Sequence, residues 1–491
     1  MLLSLYSVTI SYLNITAPPT EKRYFSTPNY SFPGFFIFSL SALLLTNEES
    51  LQHLGFFNIF SMSLINDQLA FLTKTAICLT VAIFFLSLQF TQSGISLSNS
   101  FEYFAFVATS ALGSIILCSA GDLLTAYLAI ELQSISFYLM ASSKKNSNYS
   151  TESGLKYFII GSFSSAFFLL GSSYIYVTFG TINFVELKVL SSLWFHALSI
   201  GHELNQSLIN AAFVLLCISL LIKLAVAPFH LWSIDVYESS PTPTTYFFAV
   251  VPKLGLFVLL IRIFYSGNFL LFSAGFSYYC LLFALLSIFV GALGGIEQRK
   301  LKSLLAYSSV GHTGYVLLAF STGVSLSIPL MIQYLILYML SSLCFWAAFS
   351  FLKQKNQTYN QKFNKELGDL LLLTKANPAL AFVFAGTLFS LAGIPPLLGF
   401  LLKFGAFFTA IQASAYVSSI VGILLTLIST FYYLRMIKIL FFENSGVGKL
   451  YYPVTSGKAI IISTLSLLLL VLFIKPNLMY LIVLKAYLFI F

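Results

Sequence analysis

Apolar runs of 17 residues or more recur from one end of this 491-residue chain to the other. Each is about long enough to cross the roughly 30 Å of a bilayer's hydrocarbon core as a helix. No other feature restricts the fold as much. A backbone in lipid must satisfy its own hydrogen bonds, and only helices and closed barrels can do that. A barrel would show short segments of alternating polarity, and those are absent. The chain is 58% hydrophobic and only 8% charged, too little charge to cover a soluble surface. An all-α polytopic membrane protein is therefore expected.

Its spans are read at 1–17, 34–47, 69–91, 101–119, 122–142, 154–178, 208–228, 241–265, 271–294, 302–322, 328–352, 378–410, 414–440 and 458–474, about 14 in all. Residues 477–491 follow Pro476 and are expected to lie along the interface or cap the bundle. Residues 1–17 lack the basic start of a secretory signal and the arginines of a transit peptide, so they read as a short first span. The net charge of +9 is no nucleic-acid signal, because the basic residues stand in short loops beside spans. Lys144 and Lys145, then Arg299, Lys300 and Lys302, then Lys353 to Lys375, then Arg435, Lys438 and Lys449 all follow odd-numbered spans. The positive-inside rule puts those loops in the cytoplasm or matrix. The five cysteines are scattered singly, without metal or redox spacing, and read as core residues.

Two spans carry breakers. The seventh runs into "IKLAVAPFHLW" with Pro228, and the twelfth contains "AGIPPLLGFLLKF" with Pro395 and Pro396. Proline removes a backbone donor and breaks a helix. Each break has a lysine beside it, Lys223 and Lys403. Interrupted helices five spans apart suggest two five-helix repeats of inverted topology. The expected divisions are N-terminal helices at 1–100, a first repeat at 101–265, a second at 271–440 and a C-terminal segment at 441–491.

Four charges fall deep inside spans: Glu131, Lys223, Lys253 and Lys403. Each costs about 2.5–3.5 kcal/mol at the bilayer centre even on a lenient scale, so each must pair, meet water, or both. Glu131 is the natural partner of Lys223. A carboxylate that approaches and withdraws would make that lysine hold or release a proton. Lys253 is the next acceptor, and His312, in "SVGHTGY", titrates near neutral pH and suits a relay. The set Glu131, Lys223, Lys253, His312, Lys403 reads as a proton wire along the middle of the membrane. A lone Glu131–Lys223 pair would equally serve as a structural tie, and His312 as a bond to a neighbouring helix. Glu152 and Lys156 stand at i, i+4 and read as a local pair or a guard at a proton entrance. Lys74 and Arg262 are expected to snorkel to the surface, and Asp122 and Asp369 to be interfacial. His230, Asp235 and Glu238 read as a structured turn rather than a metal site.

The stretches "YLAIELQSISFYLMA", "STESGLKYFIIGSFSSAFFLLG", "IKLAVAPFHLWSIDVYESSPTPTTYFFAVVPKLG", "KLKSLLAYSSVGHTGYVLLAFSTG" and "AGIPPLLGFLLKFGAFFTA", in this order, resemble the subunit 2 family of respiratory complex I, NADH:ubiquinone oxidoreductase, whose bacterial counterpart is subunit N. The match runs from about residue 60 to 445; residues 1–55 depart from the pattern. The resemblance implies an antiporter-like subunit of about 14 helices, related to the Mrp-type cation/proton antiporters. It implies a place in the membrane arm among other antiporter-like subunits and the small helical subunits toward the quinone site, in the mitochondrial inner membrane or a bacterial plasma membrane. It implies no flavin, iron–sulfur cluster or metal in this chain, with structural phospholipid as a companion. Electrons would pass from NADH to quinone in other subunits while this one contributes to proton pumping. The family's functional residues fall on Glu131, Lys223, Lys253 and Lys403. The plastid relative usually has Gln where this chain has His312, which favours a mitochondrial or bacterial source. An Mrp-type antiporter without redox activity is the alternative.

Overall fold

The computed structural model describes residues 31–488, apart from 50–56, 60–61, 92–100, 145–146, 198–202, 266–276, 325, 353–365, 372, 444–453 and 455. The expected first span at 1–17 lies outside the described residues, as do Lys145, Lys353 and Lys449. In chain order the helices are α1 Ser31–Glu49, α2 Gln68–Thr91, α3 Phe101–Cys118, α4 Leu123–Ala141, α5 Asn148–Phe179, α6 Phe184–Ala197, α7 Glu203–Lys223, α8 Leu231–Ser239, α9 Thr242–Tyr265, α10 Ser277–Ile296, α11 Leu301–Ser321, α12 Ser327–Phe351, α13 Leu373–Ala376, α14 Pro378–Ala392, α15 Leu398–Gln412, α16 Tyr416–Phe441, α17 Ser456–Ile474 and α18 Pro476–Leu488. Among the described residues, eight helices are long and apolar enough to cross a membrane, and six shorter apolar helices accompany them.

The interior helices are α9, α11 and α12. Nearly every residue of α11 and α12 is buried, including Ser308, Ser309, His312, Gln333 and Ser341. A helix enclosed on all sides has no lipid-facing stripe, so its polar residues must find partners within the protein. Helices α4, α5, α10, α16 and α17 lie at the periphery and expose leucine, isoleucine and phenylalanine, among them Leu128, Phe163, Phe289, Leu427 and Leu467. In an apolar solvent such a surface needs no cover. Close approaches run through glycine. A methyl at Gly291 would strike the backbone of Gly311, so α10 and α11 touch nearly backbone to backbone.

Two ends of the bundle differ. At one, an antiparallel β-hairpin, β1 Phe57–Ile59 with β2 Leu64–Asn66, packs on the α3–α4 turn. There the Ile65 amide donates to Ser119 and Gly121 to Ser63, both at 2.8 Å. At the other end lie the starts of α5 and α11 and the short helix α8, with Lys156, Lys300 and Lys302 among them.

The breaks follow the prolines. Pro228 has no N–H, and its ring would collide with the carbonyl of Leu224, so α7 stops at Lys223 rather than running on to 228 as expected. The Trp232 indole donates to the carbonyl of Ile222 at 3.0 Å, joining the Ala225 amide, which donates to the same carbonyl at 3.1 Å, and so ties α8 to the broken end of α7. The twelfth expected span divides into α14 and α15. Gly393 caps α14 at φ 82, where a side chain would be strained. The chain also forms α6 and α8, which hydrophobic runs did not reveal because neither is long and continuously apolar. The last helix, α18, packs along α2 and α12 and buries Val483 and Ala486.

Candidate functional site: buried charges on interrupted helices

Glu131 lies midway along α4, half-buried on a face it shares with the exposed Leu128 and Leu132. The Ser134 hydroxyl donates to its Oε2 at 3.3 Å, while its Oε1 is enclosed and has no hydrogen-bond partner among the described residues. Lys223 ends α7. Its Nζ is also enclosed without a partner and lies 6.0 Å from the centroid of the Tyr138 ring. Ser134, which bonds Glu131, lines the same cavity as Lys223, yet no direct ion pair joins the two charges among the described residues. The expected pair is thus two neighbours held apart.

A cavity of about 30 Å³ separates Lys223 from Lys253, with Gln133, Ser134, Tyr157 and Ser309 among its lining residues. That is room for roughly one or two water molecules. The Gln133 side-chain nitrogen is buried without a partner, like Nζ of Lys223. A polar chamber of this size between two lysines suits a bridging water.

Lys253 sits on α9 directly after Pro252, which frees the Phe248 carbonyl four residues back. The Tyr237 hydroxyl from α8 takes up that carbonyl at 3.2 Å. Lys253 itself donates to the Ser309 carbonyl of α11 at 3.3 Å and lies 5.2 Å from the centroid of the Tyr338 ring. His312 follows one turn along α11, buried. Its Nδ1 is 2.7 Å from the Tyr334 hydroxyl and its Nε2 is 3.5 Å from that of Tyr433. Lys403, on α15, reaches back across the second break. Its Nζ donates to the carbonyl of Ala392, the last residue of α14, at 2.6 Å, and lies 5.3 Å from the Tyr315 ring centroid. A cation at a helix C-terminus is favourable. The lysine's stem lies against Gly393, where an added methyl would come 2.8 Å from Cδ.

At the basic end, Lys156 pairs with Glu152 at 2.8 Å and also with Asp235 at 2.9 Å, so the expected local pair is a three-membered cluster tying α5 to α8. Glu238 pairs with Lys300, and Lys302 donates to the Ser240 carbonyl at 2.6 Å. The structured turn at 230–238 is helix α8, clamped from both sides. Among the described residues, no three His, Cys, Asp or Glu side chains converge as metal ligands.

The snorkelling expected of Lys74 and Arg262 does not occur. Both are buried, and Arg262 bonds Asp67 at 2.5 Å and the Cys118 carbonyl at 3.1 Å. Lys74 donates to Asn66 at 2.6 Å. The β-hairpin end supplies their partners, so neither needs to reach the surface. Asp122 is the N-cap of α4.

Residues 120–429 match the family described as NADH:quinone oxidoreductase/Mrp antiporter, TM. A NADH-ubiquinone oxidoreductase chain 2 from Oenothera berteroana is 37% identical over 383 residues, covering 77% of this chain and 75% of its own length. A NADH-quinone oxidoreductase subunit N from Paramagnetospirillum magneticum is 37% identical over 345 residues, covering 70% and 69%. A chain of respiratory complex I from Thermus thermophilus superposes with a TM-score of 0.77 at 27% identity, covering 98% of this chain and 97% of its own. A chain of the Mrp complex from Dietzia superposes with a TM-score of 0.81 at 17% identity over 99% of this chain and 96% of its own, a likeness of fold alone. With the matched segment spanning every interrupted helix and all the deep charges described above, the chain belongs to the NADH:quinone oxidoreductase/Mrp antiporter transmembrane family.

Proposed function

We propose that this chain is a proton-translocating membrane-arm subunit of an NADH:quinone oxidoreductase of the complex I type, a multi-pass protein of the mitochondrial inner membrane. The observation that carries this reading is the identity of 37% to chain 2 and subunit N relatives over most of both chains. The flavin, iron–sulfur clusters and quinone belong to other subunits. Its partners are neighbouring antiporter-like subunits, the small helical subunits toward the quinone site, and the bilayer.

Within this reading the proton path runs Glu131, Lys223, Lys253, His312, Lys403. Support comes from the unpartnered Oε1 and Nζ atoms at its first two positions. The cavity after them, the Lys253 hydrogen bond to the Ser309 carbonyl of α11, and the placing of Lys403 over the Tyr315 ring of the same helix add to it. Glu152 and Lys156 stand at the basic end and suit a proton entrance. The finer architecture belongs to the same proposal. It has fourteen spans, with residues 1–17 as the first and the α14–α15 pair as one, and inverted five-helix repeats at 101–265 and 271–440. A lysine beside each break supports the repeats.

Blue-native electrophoresis of mildly solubilised membranes, with an NADH dehydrogenase stain and mass spectrometry of the band, tests the assignment. The chain should run in a very large, staining band. Migration alone or with a few antiporter-like partners, without stain, would establish the Mrp-type ion exchanger instead.

A further inference from the structure

His312 is enclosed between two hydroxyls from two different helices. Tyr334 comes from α12 and Tyr433 from α16, one on each ring nitrogen. Lys253 lies over the Tyr338 ring and Lys403 over the Tyr315 ring, and both of these rings lie against the imidazole. The Tyr338 ring packs against the imidazole with centroids 4.8 Å apart, so the ring plane is fixed as well. The two remaining tyrosine contacts are therefore where the freedom lies. A neutral imidazole has one N–H donor and one bare acceptor, and a phenol can play either part.

We propose that Tyr334 and Tyr433 are positioning residues that select which nitrogen of His312 carries the proton. This proposal rests on the relay reading of His312 above. In one tautomer the Tyr334 hydroxyl donates to Nδ1, and Nε2–H donates to the Tyr433 oxygen. In the other, Nδ1–H donates to Tyr334 and Tyr433 donates to Nε2. A proton that starts from the ammonium of one lysine reaches the ring through the phenol on the bare nitrogen: the phenol oxygen takes it and gives its own proton to the ring, making an imidazolium whose two N–H groups both donate to phenol oxygens. The opposite N–H then passes its proton to the other phenol oxygen, whose own proton goes on toward the amine of the other lysine, and the neutral ring is left in the other tautomer. The donor lysine is left as an amine, the acceptor becomes an ammonium, and the ring regains its charge of zero. The hydroxyl rotors must reverse before the next proton passes. The unequal distances, 2.7 and 3.5 Å, give the resting ring a preferred side: Tyr334 holds Nδ1 firmly, and the Tyr433 contact closes when Nε2 donates.

A structural role for the two hydroxyls would tie α11 between α12 and α16 and nothing more. Tyr334→Phe and Tyr433→Phe keep the rings and delete only the hydroxyls. Tyr103→Phe deletes a buried hydroxyl with no partner elsewhere in the bundle. The readouts are assembly of the full complex, NADH-driven proton pumping, and the solvent deuterium isotope effect on turnover. Tyr334→Phe should assemble normally, lower pumping at least about threefold, and raise the isotope effect as proton transfer becomes limiting. Tyr433→Phe should follow with a smaller effect, and Tyr103→Phe should match the unaltered protein. The proposal is overturned if the first two variants pump normally while His312→Ala does not, or if they lower turnover without moving the isotope effect. Failure of both to assemble would also overturn it, since the hydroxyls would then serve the fold. Normal pumping by His312→Ala would instead remove the relay reading itself.

Discussion

Among the described residues, two carboxylate–cation neighbours are set into the helix bundle, one at its β-hairpin end and one midway along α4, and they are built in opposite ways. Asp67 and Arg262 form a direct ion pair at 2.5 Å, with both side chains 8% exposed and the arginine also bound to a backbone carbonyl. Glu131 and Lys223 meet only through Ser134 and the cavity it lines, and among the described residues each has an enclosed polar atom without a hydrogen-bond partner. The first arrangement repays desolvation with geometry and belongs to the fold. The second leaves polar atoms open beside a cavity that can hold water, which is what the proposed proton path requires. The lesson is that enclosure alone does not separate a structural charge from a candidate for proton transfer. What separates them here is an unfilled hydrogen-bonding capacity beside that space.

The sharpest way to break this comparison is Lys223→Ala. It should lower proton pumping by about tenfold or more while the complex still assembles, because among the described residues no hydrogen bond depends on that ammonium. Normal quinone-coupled pumping, measured in membrane vesicles with NADH, would sink the wire. Arg262→Ala should do the reverse. It strands a buried carboxylate at a cost of about 3–5 kcal/mol, visible as loss of assembled complex on native gels. Replacing both partners together, Asp67→Leu with Arg262→Met, should restore most of the assembly. If the single and double variants assemble alike, the pair is not structural.

Gly393→Ala comes next. The new methyl would press on the stem of Lys403 at a residue with φ 82, costing about 1–3 kcal/mol and shifting the ammonium off the Ala392 carbonyl. A partial pumping defect with modest thermal destabilisation is the expected outcome, and unchanged pumping would show that Lys403 tolerates displacement. The smallest effect should come from Glu238→Gln. Its ion pair with Lys300 is partly exposed, and such pairs contribute about 0–1 kcal/mol, so turnover and melting should both stay close to those of the unaltered protein. A large loss there would move the α8 clamp from the fold into the mechanism.

Spans and breaks were legible because each rests on local chemistry. Apolar length sets a crossing, and a proline sets an end, so α14 and α15 were visible as one broken span around Pro395 and Pro396. The deep charges were legible for the same reason, as each costs too much to be incidental. Lys74 and Arg262 were misread because snorkelling assumes that a cation near a helix end has only water to turn to. The partner, Asp67, is 195 residues from Arg262, and sequence distance carries no signal of that meeting. Tyr334 and Tyr433 were lost among the chain's 28 tyrosines. Tyr237 left a trace, because Pro252 orphans the Phe248 carbonyl and some donor had to be found for it.

By itself the sequence determined that this chain lives in a membrane, where most of its apolar helices lie, that prolines break two of its spans, and which charges are too costly to stand unpaired in lipid. Those are one-dimensional facts, set by hydration and by the backbone's need for hydrogen bonds. The tertiary structure decided which of the charges are closed in pairs and which are left open. It also decided that His312 is held between two phenols and that Lys403 caps the helix it follows. Such outcomes depend on distances between helices far apart in the chain, and hydrogen bonds and ion pairs change sign in their worth over an ångström or two.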